Sequence, residues 1–323
     1  MLAPAAAVYG AIAARRMARS GTRAAVPVIC IGNLTLGGAG KTPTAIQIVK
    51  LLREAGESPV LLTRGYGGRL AGPVRVDPKQ HTSADVGDEP LLLARAAPTI
   101  VSRDRATGAS LAAREGASVI VMDDGFQNPA LEKDLSILVL DARRGIGNAC
   151  VFPAGPLRAP LDAQLKRADG LLVIGGDAGA DNVVRHGRTL GLSIFQGRLA
   201  PAPGFAMGLK ERRVLAFAGI GDPEKFYATL EALGAFVVER RSFPDHHVYS
   251  RLEAADLVND AQRLDLALVT TEKDAARFAG HREASALAAR ALALPVTLTL
   301  DEEADFHGFV MERVSAARDR IRS

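Results

Sequence analysis

The segment VICIGNLTLGGAGKTPTAIQIVKLL, residues 28–52, sets side chains that can hold phosphate at the end of an apolar run. Gly40-Lys41-Thr42 is the closing triplet of the GxxxxGK[ST] phosphate loop. Thr35 stands where that pattern has its first glycine, and Gly37 and Gly38 supply the flexibility instead. Backbone N–H groups of Gly37, Gly38, Ala39 and Gly40 can then converge on phosphate oxygens. A helix beginning near Thr42 adds its positive dipole end. Lys41 reaches toward the β- and γ-phosphates, and Thr42 is placed to ligate Mg²⁺. Pro43 falls in the first helical turn, where its missing N–H costs little. The loop predicts nucleoside triphosphate binding. It resembles the GGxGKT loop of switch-type ATPases, but those carry a lysine before the two glycines, where this chain has Leu36.

Acidic residues follow at strand-like ends. SVIVMDDGFQ finishes in Asp123 and Asp124, where a carboxylate holds Mg²⁺ beside a phosphate loop. Adjacent aspartates point in different directions, so one faces the metal and the other faces substrate or supports the first. SADVGDEPLLLARAA places Asp88 and Glu89 ahead of an apolar helix, and helix capping alone explains such acids. FPDHHVYS groups Asp245, His246 and His247, without the further ligands at metal spacing that zinc requires. A histidine partnering an acid across an interdomain cleft fits better, because phosphoryl transfer needs a positioned base. LLTRGYGGR holds Arg64, Tyr66 and Arg69 among glycines. That set suits an anionic or sugar-like ligand, or else is a surface turn.

These residues need a scaffold, and the pattern supplies one. VPVICIGN, SPVLLTRG, APTIVS, ASVIVMDDG, LSILVLDA and GLLVIGGD alternate with helical periodicity, which predicts a parallel sheet covered on both faces. Ligands of such sheets bind at the carboxyl ends of the strands, where the glycine loop and the aspartates lie. FQGRLAPAPGFAMGLKERR reads as a linker over 195–212, and a shorter α/β series follows. The expected class is α/β: a P-loop NTPase-like doubly wound parallel sheet over 21–194, with a second, smaller α/β domain over 213–323. The tail from Glu302 to Arg322 reads as a charged final helix.

The chain has 323 residues, 40 Lys and Arg against 36 Asp and Glu, and a net charge of +4, a mild excess that fits anionic ligands. No aromatic-interleaved basic run points to nucleic acid. Cys30 and Cys150 make neither a CxxC nor a zinc spacing. MLAPAAAVYGAIAARRMARSG is apolar and then basic, the reverse of a signal peptide, and too short to span a bilayer. Residues 1–20 therefore predict a helix that lies on anionic lipid or packs on its own domain.

Taken in order, GNLTLGGAGKTP (32–43), LTRGYGG (62–68), VGDEPLLLA (86–94), DDGFQN (123–128), PAGPLR (153–158), GIGDPEKF (219–226), FPDHH (243–247) and TTEKDAARF (270–278) resemble the tetraacyldisaccharide 4′-kinase family. Tyr9-Gly10 and the arginines after it are similar to that family's membrane-docking helix. The resemblance implies transfer of the ATP γ-phosphate to the 4′-hydroxyl of a tetraacylated glucosamine disaccharide 1-phosphate, the lipid A precursor. It implies a peripheral enzyme on the cytoplasmic face of a Gram-negative inner membrane, touching an anionic surface and needing no obligate protein partner. It implies Asp88 as general base with His246 as its partner, Glu89, Asp123 and Asp124 around Mg²⁺, and Tyr66 and Gln127 at the substrate side, with Arg64 nearby. Two positions depart from the pattern: Ala159 stands where many relatives have an acid, and Asn128 where many have histidine. Two rival readings are an ATPase switch, disfavoured by Leu36 and the extra domain, and a soluble small-molecule kinase or ligase.

Overall fold

A computed structural model describes residues 2–176, 178–278 and 284–322. The strands are β1 (Val28–Asn33), β2 (Pro59–Thr63), β3 (Val74–Arg75), β4 (Thr99–Val101), β5 (Val119–Asp123), β6 (Leu135–Asp141), β7 (Gly170–Ile174), β8 (Ser193–Pro201), β9 (Arg213–Ala218), β10 (Phe236–Ser242), β11 (Ala267–Thr271), β12 (Leu292–Leu294) and β13 (Val296–Leu300). Between them lie helices α1 (Ala3–Met17), α2 (Lys41–Glu54), α3 (Ser83–Val86), α4 (Asp88–Ala96), α5 (Arg105–Arg114), α6 (Leu161–Leu165), α7 (Asp181–Thr189), α8 (Pro203–Leu209), α9 (Pro223–Ala232), α10 (Arg251–Arg263), α11 (Glu272–Phe278), α12 (Ser285–Arg290) and α13 (Glu303–Arg322).

Among the described residues, a nine-stranded sheet runs β13-β8-β7-β6-β1-β5-β2-β4-β3. Its centre is parallel, with β1 between β5 and β6. Every residue of β1 is buried, as a strand covered on both faces must be. Alternation then sorts its side chains: Val28 and Cys30 enter one core with Met17 of α1, whereas Ile29 and Ile31 enter the other with Ile48 and Leu52 of α2. The order puts the phosphate loop after β1 directly beside the aspartates that end β5.

The chain leaves this sheet after β8 and builds a second one, ordered β10-β9-β11-β12 and parallel throughout. Leu215 and Phe217 of β9 pack on α10, and Val214 and Ala216 pack on α9. His246 and Arg277, past β10 and β11, meet at Asp88 of the larger sheet's unit, and the Gly219 carbonyl just past β9 accepts from the Arg277 guanidinium and the His246 N–H.

Two expectations about organisation need correction. Residues 195–201, expected to open a linker, belong to β8, and α8 occupies much of the remainder. The C-terminal segment, expected to stay with the smaller unit, returns: β13 pairs antiparallel with β8 from Val296↔Pro201 to Leu300↔Gly197. Phe306, Val310 and Val314 of α13 then enter the larger core. Prolines and glycines after position 200 hid an ordinary alternation before it. Gly197 permits the pairing, because a Cβ there would lie 2.8 Å from the Thr299 carbonyl.

Phe306 is fully buried and meets Phe195 of β8 edge-on at 4.9 Å. Phe306→Ala is therefore expected to destabilise the larger unit by about 3–5 kcal/mol, read from its denaturant unfolding transition. A loss under about 1 kcal/mol, typical of a surface site, would mean the tail is not part of that core.

Candidate active site

The phosphate loop is held from both sides. The Asn33 amide donates to the Gly37 carbonyl at 2.9 Å, and the Leu36 N–H donates to the Pro156 carbonyl at 2.8 Å. Arg158 donates its backbone N–H to Leu34 at 2.9 Å and its Nε to the Thr35 carbonyl at 3.0 Å. Gly37 and Gly40 sit at φ of 97° and 91°, where glycine alone is comfortable. A Cβ on Gly40 would also come within 2.5 Å of Ile174 Cδ1. Lys41 and Thr42 begin α2 and are only 8% and 4% exposed. The lysine is thus folded into the loop, its nearest carboxylate being Asp124 Oδ1 at 3.8 Å. A buried ammonium with so loose a partner, beside a helix N-terminus, is arranged for an anionic ligand.

The paired aspartates do point apart. Asp123 Oδ2 lies 3.4 Å from Thr42 Oγ1, and its buried Oδ1 has no hydrogen-bond partner among the described residues. Burial, then the neighbouring Glu89 carboxylate, pushes the Asp123 carboxyl up to about 7. A carboxylate so placed fits a cation, which would take the orphan oxygen and reverse that push. Asp124, at φ 53°, turns away and receives both Arg158 nitrogens, at 2.8 and 3.3 Å. Burial opposes its charge, but Lys41 and Arg158 outweigh that and hold it below the usual carboxylate range. Thr42 and Asp123 fit Mg²⁺, while Asp124 is already committed to Arg158. Glu89, also expected near the metal, instead receives Lys273 Nζ of α11 at 2.6 Å. Among the described residues no three His, Cys, Asp or Glu side chains form a metal cage, which suits a cation that keeps waters and phosphate oxygens as ligands.

Asp88 begins α4 but does not cap it in the ordinary way. Its Oδ1 accepts the N–H of Glu89 at 2.9 Å, and its Oδ2 faces the smaller unit. There it accepts Arg277 Nε at 2.8 Å and lies 3.3 Å from His246 Nδ1. Burial works against the Asp88 charge, but the hydrogen bond from His246 and the charge of Arg277 prevail and hold its carboxyl well below the usual range. The same hydrogen bond raises His246. His246 is at φ 60°, and its ring is 5.5 Å from the exposed ring of Tyr66. His247 is engaged elsewhere, 3.0 Å from Glu253 and stacked on Phe243.

The substrate-side expectations divide. Arg64 and Tyr66 follow β2 on the exposed rim, and Arg64 has no ion pair among the described residues. Gln127 lies behind the loop instead, donating to the Asn33 carbonyl and to Gln164, both at 2.9 Å. It braces the DGFQ turn against β1 and is turned from the rim. Sequence reasoning gave no part to Arg158, Lys273, Asp274 or Arg277. Arg277 is 4% exposed and also donates to Asp274 Oδ1 at 2.8 Å and to the Gly219 carbonyl. Its signal was present in TTEKDAARF, where two cations four apart share a helix face. A second junction joins the units: Arg143 and Arg144, after β6, both donate to Asp222, the N-cap of α9.

A phosphate loop after β1, an aspartate ending β5 and a parallel sheet between helices define a P-loop nucleotide-binding protein. Its further acid, Asp88, meets a histidine from a second α/β unit. The family model for tetraacyldisaccharide-1-P 4′-kinase matches residues 1–315. A tetraacyldisaccharide 4′-kinase of Rhodopseudomonas palustris strain BisA53 is 56% identical over 320 residues, covering 99% of this chain and 94% of the relative. One of Nitrobacter hamburgensis is 54% identical over 318 residues, covering 98% and 95%. A crystal structure of LpxK from Aquifex aeolicus in complex with ATP superposes with a TM-score of 0.75 at 28% identity, covering 97% and 98%. The chain belongs to the tetraacyldisaccharide-1-P 4′-kinase family.

Proposed function

We propose that this protein transfers the γ-phosphoryl group of ATP to the 4′-hydroxyl of a tetraacylated glucosamine disaccharide 1-phosphate, with Asp88 as the base. The observation that carries the assignment of roles is the Asp88–His246 contact, which joins the P-loop unit to the smaller unit. Amides of the loop and Lys41 bind the triphosphate and offset charge that grows on the leaving oxygen. Thr42 and Asp123 would hold Mg²⁺, which would supply charge neutralisation at the phosphates. Asp88 receives the hydroxyl proton as the oxygen attacks in line. His246, hydrogen-bonded to it, orients the carboxylate. Arg64 and Tyr66 on the rim meet the sugar and its phosphate. Because base and partner come from different units, closure of one on the other precedes chemistry. A coupled assay tests the assignment: ADP release should rise many-fold on adding the disaccharide acceptor in mixed micelles. Equal ADP release without acceptor would instead mark an ATPase.

The enzyme works as a peripheral protein on the cytoplasmic face of the inner membrane. Support comes from α1, which packs one face on its own domain and leaves an adjacent apolar face exposed. Ala6, Gly10 and Met17 are buried, Gly10 against Pro160 and Val151. Leu2, Val8, Tyr9 and Ile12 are 42–62% exposed, with Arg15, Arg16 and Arg19 exposed beyond them. No helix among the described residues is long and apolar enough to cross a membrane. An apolar face edged by arginines suits the interface of an anionic bilayer. The double variant Val8→Asp, Ile12→Asp spares the packed face. It should sediment about tenfold less with anionic vesicles and bind ATP as before; unchanged sedimentation would remove the docking role.

A further inference from the structure

Helix α11 sets Lys273 and Arg277 four residues apart against Glu89 and Asp88, which are adjacent at the start of α4. The two cations are held very differently. Arg277 is pinned within its own unit by Asp274, which also receives the Tyr249 hydroxyl at 2.8 Å and the Gly219 N–H at 3.0 Å. Lys273 has Glu89 at 2.6 Å and no partner from its own unit among the described residues. Its flexible stem carries a compact charge with three rotatable donors, suited to exchanging one anion for another. Burial disfavours that charge, but Glu89, Asp88 and Asp123 all favour it and prevail. The ammonium, paired with the residue next to the proposed base, therefore also feels the acid beside Thr42. On the kinase reading, the phosphoryl group is transferred near these acids.

We propose that Lys273 is a catalytic cation supplied by the smaller unit, which leaves Glu89 to contact the phosphoryl group in transfer. The inference rests on the kinase reading above. In the step, the hydroxyl oxygen forms a bond to the γ-phosphorus while the bond from that phosphorus to the bridging oxygen of ADP breaks. The hydroxyl proton goes to Asp88, and Lys273 keeps its proton and its charge throughout. Closure of the smaller unit then delivers the base's partner and the extra cation together. The carboxylates of Glu89 and Asp123 beside a polyanionic nucleotide give that cation its purpose, because it offsets their repulsion.

The test compares Lys273→Met, Lys273→Gln and Lys273→Arg with the full wild-type chain. Affinity is measured for ATP and for ADP with aluminium fluoride and Mg²⁺, a mimic of the transferring phosphoryl group that needs no acceptor. Turnover is measured with the lipid disaccharide. Lys273→Met should lower kcat by about a hundredfold or more, in the range of a lost transition-state contact. It should weaken the ADP–aluminium fluoride complex by a comparable factor and change ATP affinity less than about threefold. Lys273→Arg should recover part of both losses, and Lys273→Gln, which can still hydrogen-bond Glu89, serves if the methionine variant does not fold. Aluminium fluoride affinity or kcat within threefold of wild type would overturn the proposal and leave Lys273 a strap on Glu89. Failure of the wild-type chain to phosphorylate the acceptor would instead overturn the kinase reading beneath it.

Discussion

Lys41→Ala is expected to lower phosphoryl transfer by roughly a thousandfold or more, at the upper end of what one transition-state donor contributes. The lysine is almost wholly buried in the loop, and its nearest carboxylate among the described residues is Asp124 at 3.8 Å. Its charge is therefore available to the phosphates at the start of α2. The variant should still fold. Asp124 keeps its paired contact with Arg158 when the lysine is removed. Rates are compared at saturating ATP, with the circular dichroism spectrum and unfolding transition as controls. Transfer within about tenfold of wild type by a correctly folded variant would remove the phosphate-loop assignment.

Asp88 and His246 are expected to act as a unit. Asp88→Asn should lower kcat by about a hundredfold to ten-thousandfold, the span of general-base assistance. His246→Ala should fall within the same span, with little change in ATP affinity in either case. The double variant should be no worse than the poorer single, because both residues serve one proton transfer. Asparagine is the better probe here than alanine. Arg277 donates to Asp88 from a nearly solvent-free position, and truncation would leave that guanidinium facing a void. Rate losses that multiply in the double variant would sink the pairing, and a near wild-type rate in Asp88→Asn would sink the base.

Much of this site was legible because it lies on local patterns. Gly40-Lys41-Thr42 and the run ending in Asp123 each carry strand, turn and helix signals, and the sheet order brings them side by side. Asp88 was read from the residues as a cap, as an acid before an apolar helix usually is, and only the family resemblance made it a base. What gives it another use lies 158 positions downstream in His246 and further still in Arg277, and only the tertiary fold joins them. Gln127 went the other way: a polar residue in a turn beside the site proved to brace the backbone. Glu89 fits neither picture cleanly, because its partner is a lysine from the other unit. The return of β13 and α13 to the first sheet was hidden for a similar reason. An antiparallel partner nearly a hundred residues away leaves no periodic trace, and prolines beside β8 suggested a linker.

The most direct measurement follows the phosphate itself. The purified chain is given ATP labelled at the γ-position and either the tetraacylated disaccharide 1-phosphate or the same lipid lacking its 4′-hydroxyl. The label should appear on the first lipid and not on the second, with little release to water in either case. Label released as inorganic phosphate at one rate with both lipids would contradict the kinase assignment.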